Sequence, residues 1–468
     1  MSLVLSGDQQ ITGPLTVGFG SGQITSNVAV GLSALNANTT GIGNIAIGIS
    51  SLTLNTTGQQ NVAIGLSAMA SNTTGYNNVA IGSYALNTNV SGAGNTVVGG
   101  AALAYNTASN NSAFGNGALG NNTSGTPNDA FGYQALYSNT TGTGNTALGF
   151  ASLQSNTTGV SNVAIGQQAL QSNTIGQNNV AIGPFSLITN VSSSFNTAVG
   201  FAALNLNTAS NNTAVGFDAL SKNTTGTPND AFGYQALYSN TTGATNVAVG
   251  YQALYSQTIG TSNVAVGQTA LYGLTTGVNN IAIGAAAGYA GTALTIGTQC
   301  IYFGTNAKAS ANNVNYEIVI GNNNSGGVVG KGSNTVFINA NSGGNYNGAN
   351  STAWSTTSDQ RIKKNIVDNT DGLDKITSIR VRNFEYRLPE EVDETLQPSD
   401  AVIKEGVQLG VIAQELQQTL PDCVREESTG VLSVQTDNLT WYLVNSIKEL
   451  AAKVEALEAQ LAKATPTV

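Results

Sequence analysis

Sixteen glycines, from Gly31 to Gly284, recur at intervals of 17 residues, two of them shortened to 16, and each carries the same neighbours. Such a period predicts a solenoid in which each unit buries its apolar face only by stacking on the next. The residue four before every repeat glycine is Asn, as in Asn27, Asn44, Asn61 and Asn280. An amide both donates and accepts, so a fixed Asn predicts a ladder joining each coil to those above and below. The residue before the glycine is bulky and apolar (Ile47, Ile64, Phe131, Val249), and the one before that is Ala in every copy except Val97. Adjacent strand residues point to opposite faces. The bulky residue, with the Leu four after the glycine (Leu35, Leu52, Leu86, Leu136), is expected to line the coil interior. The Ala face is expected to lie against a second chain or layer, because only small residues permit so close an approach.

The tetrad Asn-Thr-Thr-Gly, as at Asn55 and Gly58, predicts a turn that closes the coil with residues tolerant of a left-handed backbone. Each unit therefore reads as strand, turn, short second strand or bend, turn. Sixteen coils stacked about 4.8 Å apart would make a rod on the order of 75 Å long. Residues 126–142 and 227–243 are identical, which points to duplication of a six-coil block. From Ala285 the period decays, with Gly304 and Gly321 as its last members, and the strands expected at 317–320 and 335–338 belong to a tapering tip that also holds Trp354. The pattern Asn-Val-Ala-Ile-Gly-x-x-Ala-Leu over roughly residues 27–290 resembles the head repeats of trimeric autotransporter adhesins. That resemblance implies parallel β-rolls packed around a threefold axis.

Charge divides the chain. Residues 1–357 hold only eight charged side chains, among them Asp129, Asp218, Asp230, Glu317 and Lys222, while the remaining residues have the charge density of an ordinary soluble domain. A rod so poor in Lys and Arg, in a chain of net charge −9, offers no footprint for nucleic acid or an anionic membrane. Cys300 and Cys423 fall in different regions, make no disulfide framework and are expected to be buried. The start has no basic, apolar leader and no stretch is apolar enough for a membrane span, so synthesis in a cytosol is expected. With no His and no acidic cluster, neither a metal nor a cofactor is expected. The anticipated organisation is an attachment segment (1–26), a shaft (27–290), an irregular β junction or tip (291–357) and a small α+β domain (358–468).

In that last region the sequence predicts a helix over 371–378, a strand over 380–387, a strand running into a helix over 407–420, and a final helix from an N-cap near Asp437. Leu443, Ile447, Leu450, Val454, Leu457 and Leu461 are spaced alternately 4 and 3 apart, the seam of a coiled coil, so self-association is expected. The run Ser358-Asp359-Gln360-Arg361-Ile362-Lys363-Lys364-Asn365-Ile366, then Leu409-Gly410-Val411-Ile412-Ala413-Gln414-Glu415 and the terminal helix, resembles the C-terminal intramolecular chaperone domain of phage tailspikes and tail fibres, best known from endosialidases. The resemblance implies self-cleavage between Thr357 and Ser358, with Ser358 as nucleophile and Lys363 as general base. An amine takes a hydroxyl proton only when neutral, which calls for burial or nearby cations, and Arg361 and Lys364 are adjacent. Asp359, Gln414 and Glu415 are expected to be positioning or structural groups.

The fold expected is mainly β: a trimeric β-solenoid rod followed by a chaperone domain ending in a coiled-coil helix. The function expected is a homotrimeric viral tail fibre, made in the host cytoplasm and carried in the virion tail. Its partners would be a cell-surface receptor, with a glycan favoured, and a tail or baseplate protein held through the N-terminus. The alternatives are a polysaccharide-degrading tailspike, a fibre of a phage-like injection system and a bacterial trimeric adhesin. Beyond single-turnover autoproteolysis, no enzyme activity on other substrates is indicated.

Overall fold

The computed structural model describes residues 17–289, 294–322, 327–339, 344–347, 355–356, 360, 363–391, 405–426 and 431–464. The chain divides into two compact units, Met1–Thr357 and Ser358–Val468.

The first unit is a parallel β-solenoid. Every repeat from Val28–Val30 to Ile281–Ile283 contributes one strand of three or four residues, followed by turns and bends rather than a second strand. Strands pair in parallel with like opposite like, as in Ala46↔Ala63 and Ala63↔Ala80. Although the sequence period fades after Ala285, the ladder runs on through Ile301–Phe303, Ile318–Gly321 and Val336–Asn339 in the same register. Antiparallel strands pair at both ends: Val17–Gly18 on the first coil and Gly344–Asn347 on the last.

The expected assignment of strand faces is reversed. The strand Ala is fully buried in every coil from Ala46 to Ala282, with Val97 in its one exception, and packs inside the coil with the Leu column. The bulky residue before the glycine points outward: Ile47, Phe131 and Val249 are each 37% exposed. With the Leu filling one side of so narrow a coil, the interior takes Ala on the other, and Val97 is the largest strand residue it accepts in the sixteen repeats. The all-Ala column is therefore explained by the chain's own packing, and the close neighbour it was expected to face is its own coil.

The Asn ladder has the expected form. Asn61 donates from its backbone N and its Nδ2 to Asn44 Oδ1 (3.1 and 3.2 Å) and from Nδ2 to Gly75 O (2.9 Å), and the next rung repeats this. Sequence reading missed a second ladder. The Asn of the Asn-Thr-Thr-Gly tetrad is buried too, with Asn55 Nδ2 donating to Asn38 Oδ1 (2.9 Å) and Gly58 O (3.1 Å). The tetrad thus turns by side-chain hydrogen bonding, and its residues are not left-handed; in that coil the positive φ values fall at the repeat glycine Gly48 and at Ser50, Leu52 and Gln60. Where a repeat is shortened to 16 the second ladder changes partner, Asn106 Nδ2 turning to Ala108 O (2.7 Å), and Asn89 Oδ1 is left without a partner among the described residues.

At the far end the first ladder's column passes through Cys300 to Glu317, and both are buried. Glu317 Oε2 accepts from the Tyr302 hydroxyl (3.0 Å) and Ser310 N (3.1 Å), and Oε1 from Gly332 N (2.8 Å). Three donors converge on one carboxylate and lash the last coils together. Glu317→Ala strands all three at roughly 1–3 kcal/mol each. It is expected to make residues 301–339 protease-sensitive at temperatures where the wild type resists, with Glu317→Gln intermediate, as read by the masses of the cleavage products.

In the second unit, α1 (Leu373–Thr377), α2 (Ala413–Thr419) and α3 (Thr436–Ala464) combine with two antiparallel strand pairs, Arg382–Phe384 with Gln408–Gly410 and Val424–Glu426 with Leu432–Val434. Leu416, Leu420, Cys423 and Tyr442 form a small core. Cys423 is buried there as Cys300 is in the solenoid. Gly372 abuts α3 so closely that a Cβ would lie 2.9 Å from the backbone of Asn445 and Ser446. The final helix begins one residue before Asp437, and its seam residues Leu443, Ile447, Leu450, Val454 and Leu457 are all exposed within the unit.

Candidate functional site

Of the residues expected to carry self-cleavage, Lys363 lies within the described structure, while Thr357, Ser358, Asp359 and Arg361 lie outside it, as does Trp354. Lys363 N donates to Gln360 O at 3.1 Å, and residues 363–371 run exposed and without regular structure towards α1, with Asn365 in the left-handed region. In a single copy of the unit Lys363 is an exposed residue.

The second half of the motif is a strand-to-helix joint. Gln408–Gly410 pairs with Arg382–Phe384, the chain turns through Val411 and Ile412, and α2 starts at Ala413. Gly410 allows the ring of Phe384 to settle on it, since a Cβ there would stand 3.2 Å from Phe384 Cε1. Glu415 reaches back to the strand: Arg382 Nη2 lies 2.7 Å from Oε1 and Arg382 Nε 3.2 Å from Oε2, a two-pronged pair, and Arg380 Nη1 stands 3.8 Å away. The hydrogen bonds from Arg382 hold the Glu415 carboxyl below the usual carboxylate range, and the same contact raises Arg382. Glu415 fastens α2 to the sheet, while Gln414 is exposed on the helix's first turn. Nothing in the spacing of the sequence points to this pair, because its partners are 33 residues apart on different elements.

Beside α3 lies a hollow of about 860 Å³, lined by Val367, Asn369, Asp422, Trp441, Tyr442 and Glu449. Tyr442 donates to Asp422 Oδ2 at 2.8 Å, and that bond to a carboxylate, with some burial, pushes its phenol up to about 12. Asn445 Nδ2 reaches the carbonyls of Asn369 (2.8 Å) and Asp371 (3.1 Å), and Leu373 N donates to Glu449 (2.9 Å). The stretch leading from Lys363 is thereby tied to the N-terminal half of the helix that carries the seam.

In the solenoid, Asp129 and Asp230 occupy outward strand positions six strands apart, roughly 30 Å at the usual strand spacing. Paired carboxylates in glycoside hydrolysis stand about 5–10 Å apart. Burial raises the Asp218 carboxyl against the bonds from Gln235 and Ser221. Among the described residues no group of three or more His, Cys, Asp or Glu is placed to hold a metal, and no helix is long and apolar enough to cross a membrane.

The family model described as chaperone of endosialidase matches residues 358–425, a stretch that opens at Ser358 and takes in Lys363 and the Leu409–Glu415 motif. No curated protein and no solved structure matches the chain. The class defined is a β-solenoid followed by a domain whose first part is similar to the chaperone of endosialidase.

Proposed function

We propose that this chain is a homotrimeric tail fibre or tailspike of a phage, or of a phage-like injection device, that attaches to a host surface. The C-terminal unit gathers three copies and is then severed between Thr357 and Ser358. One observation carries the reading: the solenoid leaves a column of Ile, Val, Leu and Phe uncovered along its sheet, and the segment that follows matches an assembly chaperone. Scattered exposed apolar residues need no explanation, but an unbroken stripe one residue wide on every coil calls for a partner surface. The identical stripe on two further copies is the natural cover, and the exposed seam of α3 supplies a separate means of bringing them together.

The cleavage chemistry follows from the residues the family resemblance assigns. Ser358 Oγ attacks the Thr357 carbonyl while Lys363, in its neutral form, takes the hydroxyl proton. The Ser358 nitrogen leaves protonated as a new amino terminus, and water hydrolyses the resulting ester. Lys363 is exposed in the single unit, so the burial that favours its neutral form comes from neighbouring copies. Cleavage therefore reports completed assembly. Intact mass after expression is expected to show a fragment of residues 358–468, lost in Ser358→Ala and in Lys363→Ala. A full-length chain persisting in a stable wild-type trimer would sink the cleavage step. The degrading-tailspike alternative gains nothing from the spacing of Asp129 and Asp230, and the adhesin alternative does not call for a domain matching an endosialidase chaperone.

A further inference from the structure

We infer that the solenoid carries a neutral-sugar site on its side, in a cup formed by Tyr84, Asn87, Tyr105, Asn121 and Tyr137 over a floor of Ala101, Ala104 and Gly120. The inference rests on the attachment reading and places a receptor contact on the shaft rather than at the tip. The cup encloses about 270 Å³, slightly below the range of drug-sized ligand pockets, which suits one sugar residue or the end of a branch. Two absent side chains set the position of its Tyr137 wall. A Cβ on Gly120 would stand 2.9 Å from the Tyr137 ring, and one on Gly117 would stand 3.4 Å from it, so the ring settles over two bare glycines. Tyr84 and Tyr105 are 49% and 59% exposed and form the other aromatic walls. Asn87 has its Nδ2 committed to Ser67 O at 2.9 Å, which leaves its Oδ1 as an acceptor.

The chemistry of this lining selects the ligand. It contains no Lys, Arg, Asp or Glu, so it offers nothing to a sialic or uronic acid. Aromatic faces carry negative π density that attracts the C–H groups of a pyranose ring, and amides match its hydroxyls.

The duplicated block is an internal control. The 17 residues that include Tyr137 recur unchanged around Tyr238, yet 101 residues on from the cup only Ala202 matches among its other members, which are otherwise Phe185, Ile188, Asn205, Leu206, Ser221 and Lys222, with Asp218 in place of Gly117. There Lys222 Nζ sits 4.5 Å over the Tyr238 ring and Tyr255 stacks on it at 5.2 Å, so the equivalent tyrosine is occupied by its own neighbours. The same backbone is thus built once open and once filled.

The second block also supplies a variant that the fold accepts. The triple change Gly117→Asp, Gly120→Ser and Asn121→Lys copies residues already borne by that backbone, including the left-handed position, where φ is 68° at Gly117 and 54° at Asp218. The full chain should bind at least one member of an array of glucose, galactose, mannose and N-acetylhexosamine oligosaccharides. The triple variant and Tyr105→Ala should each bind it at least ten-fold more weakly with unchanged oligomeric state. Binding of acidic glycans only, of no neutral glycan, or of a neutral glycan equally by the triple variant overturns the proposal, as does a change in oligomeric state in place of a change in sugar binding. Adsorption of the full fibre to whole bacteria decides the attachment reading separately: adsorption undiminished in the triple variant removes the cup and leaves attachment standing.

Discussion

Synthesised without residues 358–468, the solenoid is expected to accumulate as aggregates and misaligned oligomers, with the yield of soluble, protease-resistant trimer lower by at least about ten-fold. The reason lies in the monotony of its outward stripe. Shifting one copy by a single coil against another places an Ile, Val, Leu or Phe opposite the same kind of residue, so many registers have nearly equal energy. Parallel β structure also forms slowly through distant contacts and keeps apolar strands exposed meanwhile. A unit with its own core and a coiled-coil seam can bring the copies level at one end before the coils pair. Gel filtration, negative-stain images and protease challenge of the truncated and full chains decide the matter. Straight trimeric rods in equal yield from the truncated chain would end the chaperone reading.

Gly149→Ala is expected to destabilise the shaft by roughly 3 kcal/mol or more. Gly149 has a φ of 136°, in a region almost closed to other residues. A Cβ there would meet Gly166 O at 2.6 Å and Gly166 C at 2.7 Å. Those atoms are the backbone of the next coil, which cannot swing aside as a side chain would, and the same contact recurs at each repeat glycine from Gly31 to Gly284. Gly43→Asn is the control. Its φ is 67°, an added Cβ would meet nothing nearer than the Gln60 side chain at 3.6 Å, and the same column holds Gln60 and Asn77 in similar conformation. The control should unfold within about 0.5 kcal/mol of wild type. Urea unfolding followed by limited proteolysis measures both, and a Gly149→Ala chain as resistant as the wild type would refute the close-approach account.

Much of the solenoid was legible because it is written sixteen times. The period fixed the coil, the invariant Asn gave the first ladder, and the Leu column gave half of the core. Which strand face lies inside was not read correctly, because Ala suits a narrow interior and a close interface alike. The decisive signal was present one position earlier: Thr96, Ser112 and Asp129 share a face with Val98, Phe114 and Phe131, and a face that accepts Asp129 is not the interior of a coil. The tetrad Asn has the residue type of a turn, although its own regular recurrence is as good a sign of stacking as that of Asn27 or Asn44. In the second unit the three helices and the strands at 382–384 and 408–410 lie within a few residues of the expected bounds, while the pair Val424–Glu426 with Leu432–Val434 was not expected. The Arg382–Glu415 clasp did not, since it depends on how a strand and a helix meet in space. The cup on the shaft escaped notice because it is defined by what one repeat lacks, the side chains of Gly117 and Gly120.

The two amide ladders and the strand bonds all run from coil to coil along one direction, so any junction between coils is bridged at many points. Between the coils of Asn44 and Asn61, for example, bonds span from Ile45 N to Asn61 O, from Leu52 N to Ala68 O and from Asn72 to Asn55, in three different parts of the coil. Tension applied along that direction loads these bridges together, because none can lengthen before its neighbours do. A shaft of this kind resists pulling with little give and then snaps at one junction, where a chain of independently folded beads would pay out length one bead at a time.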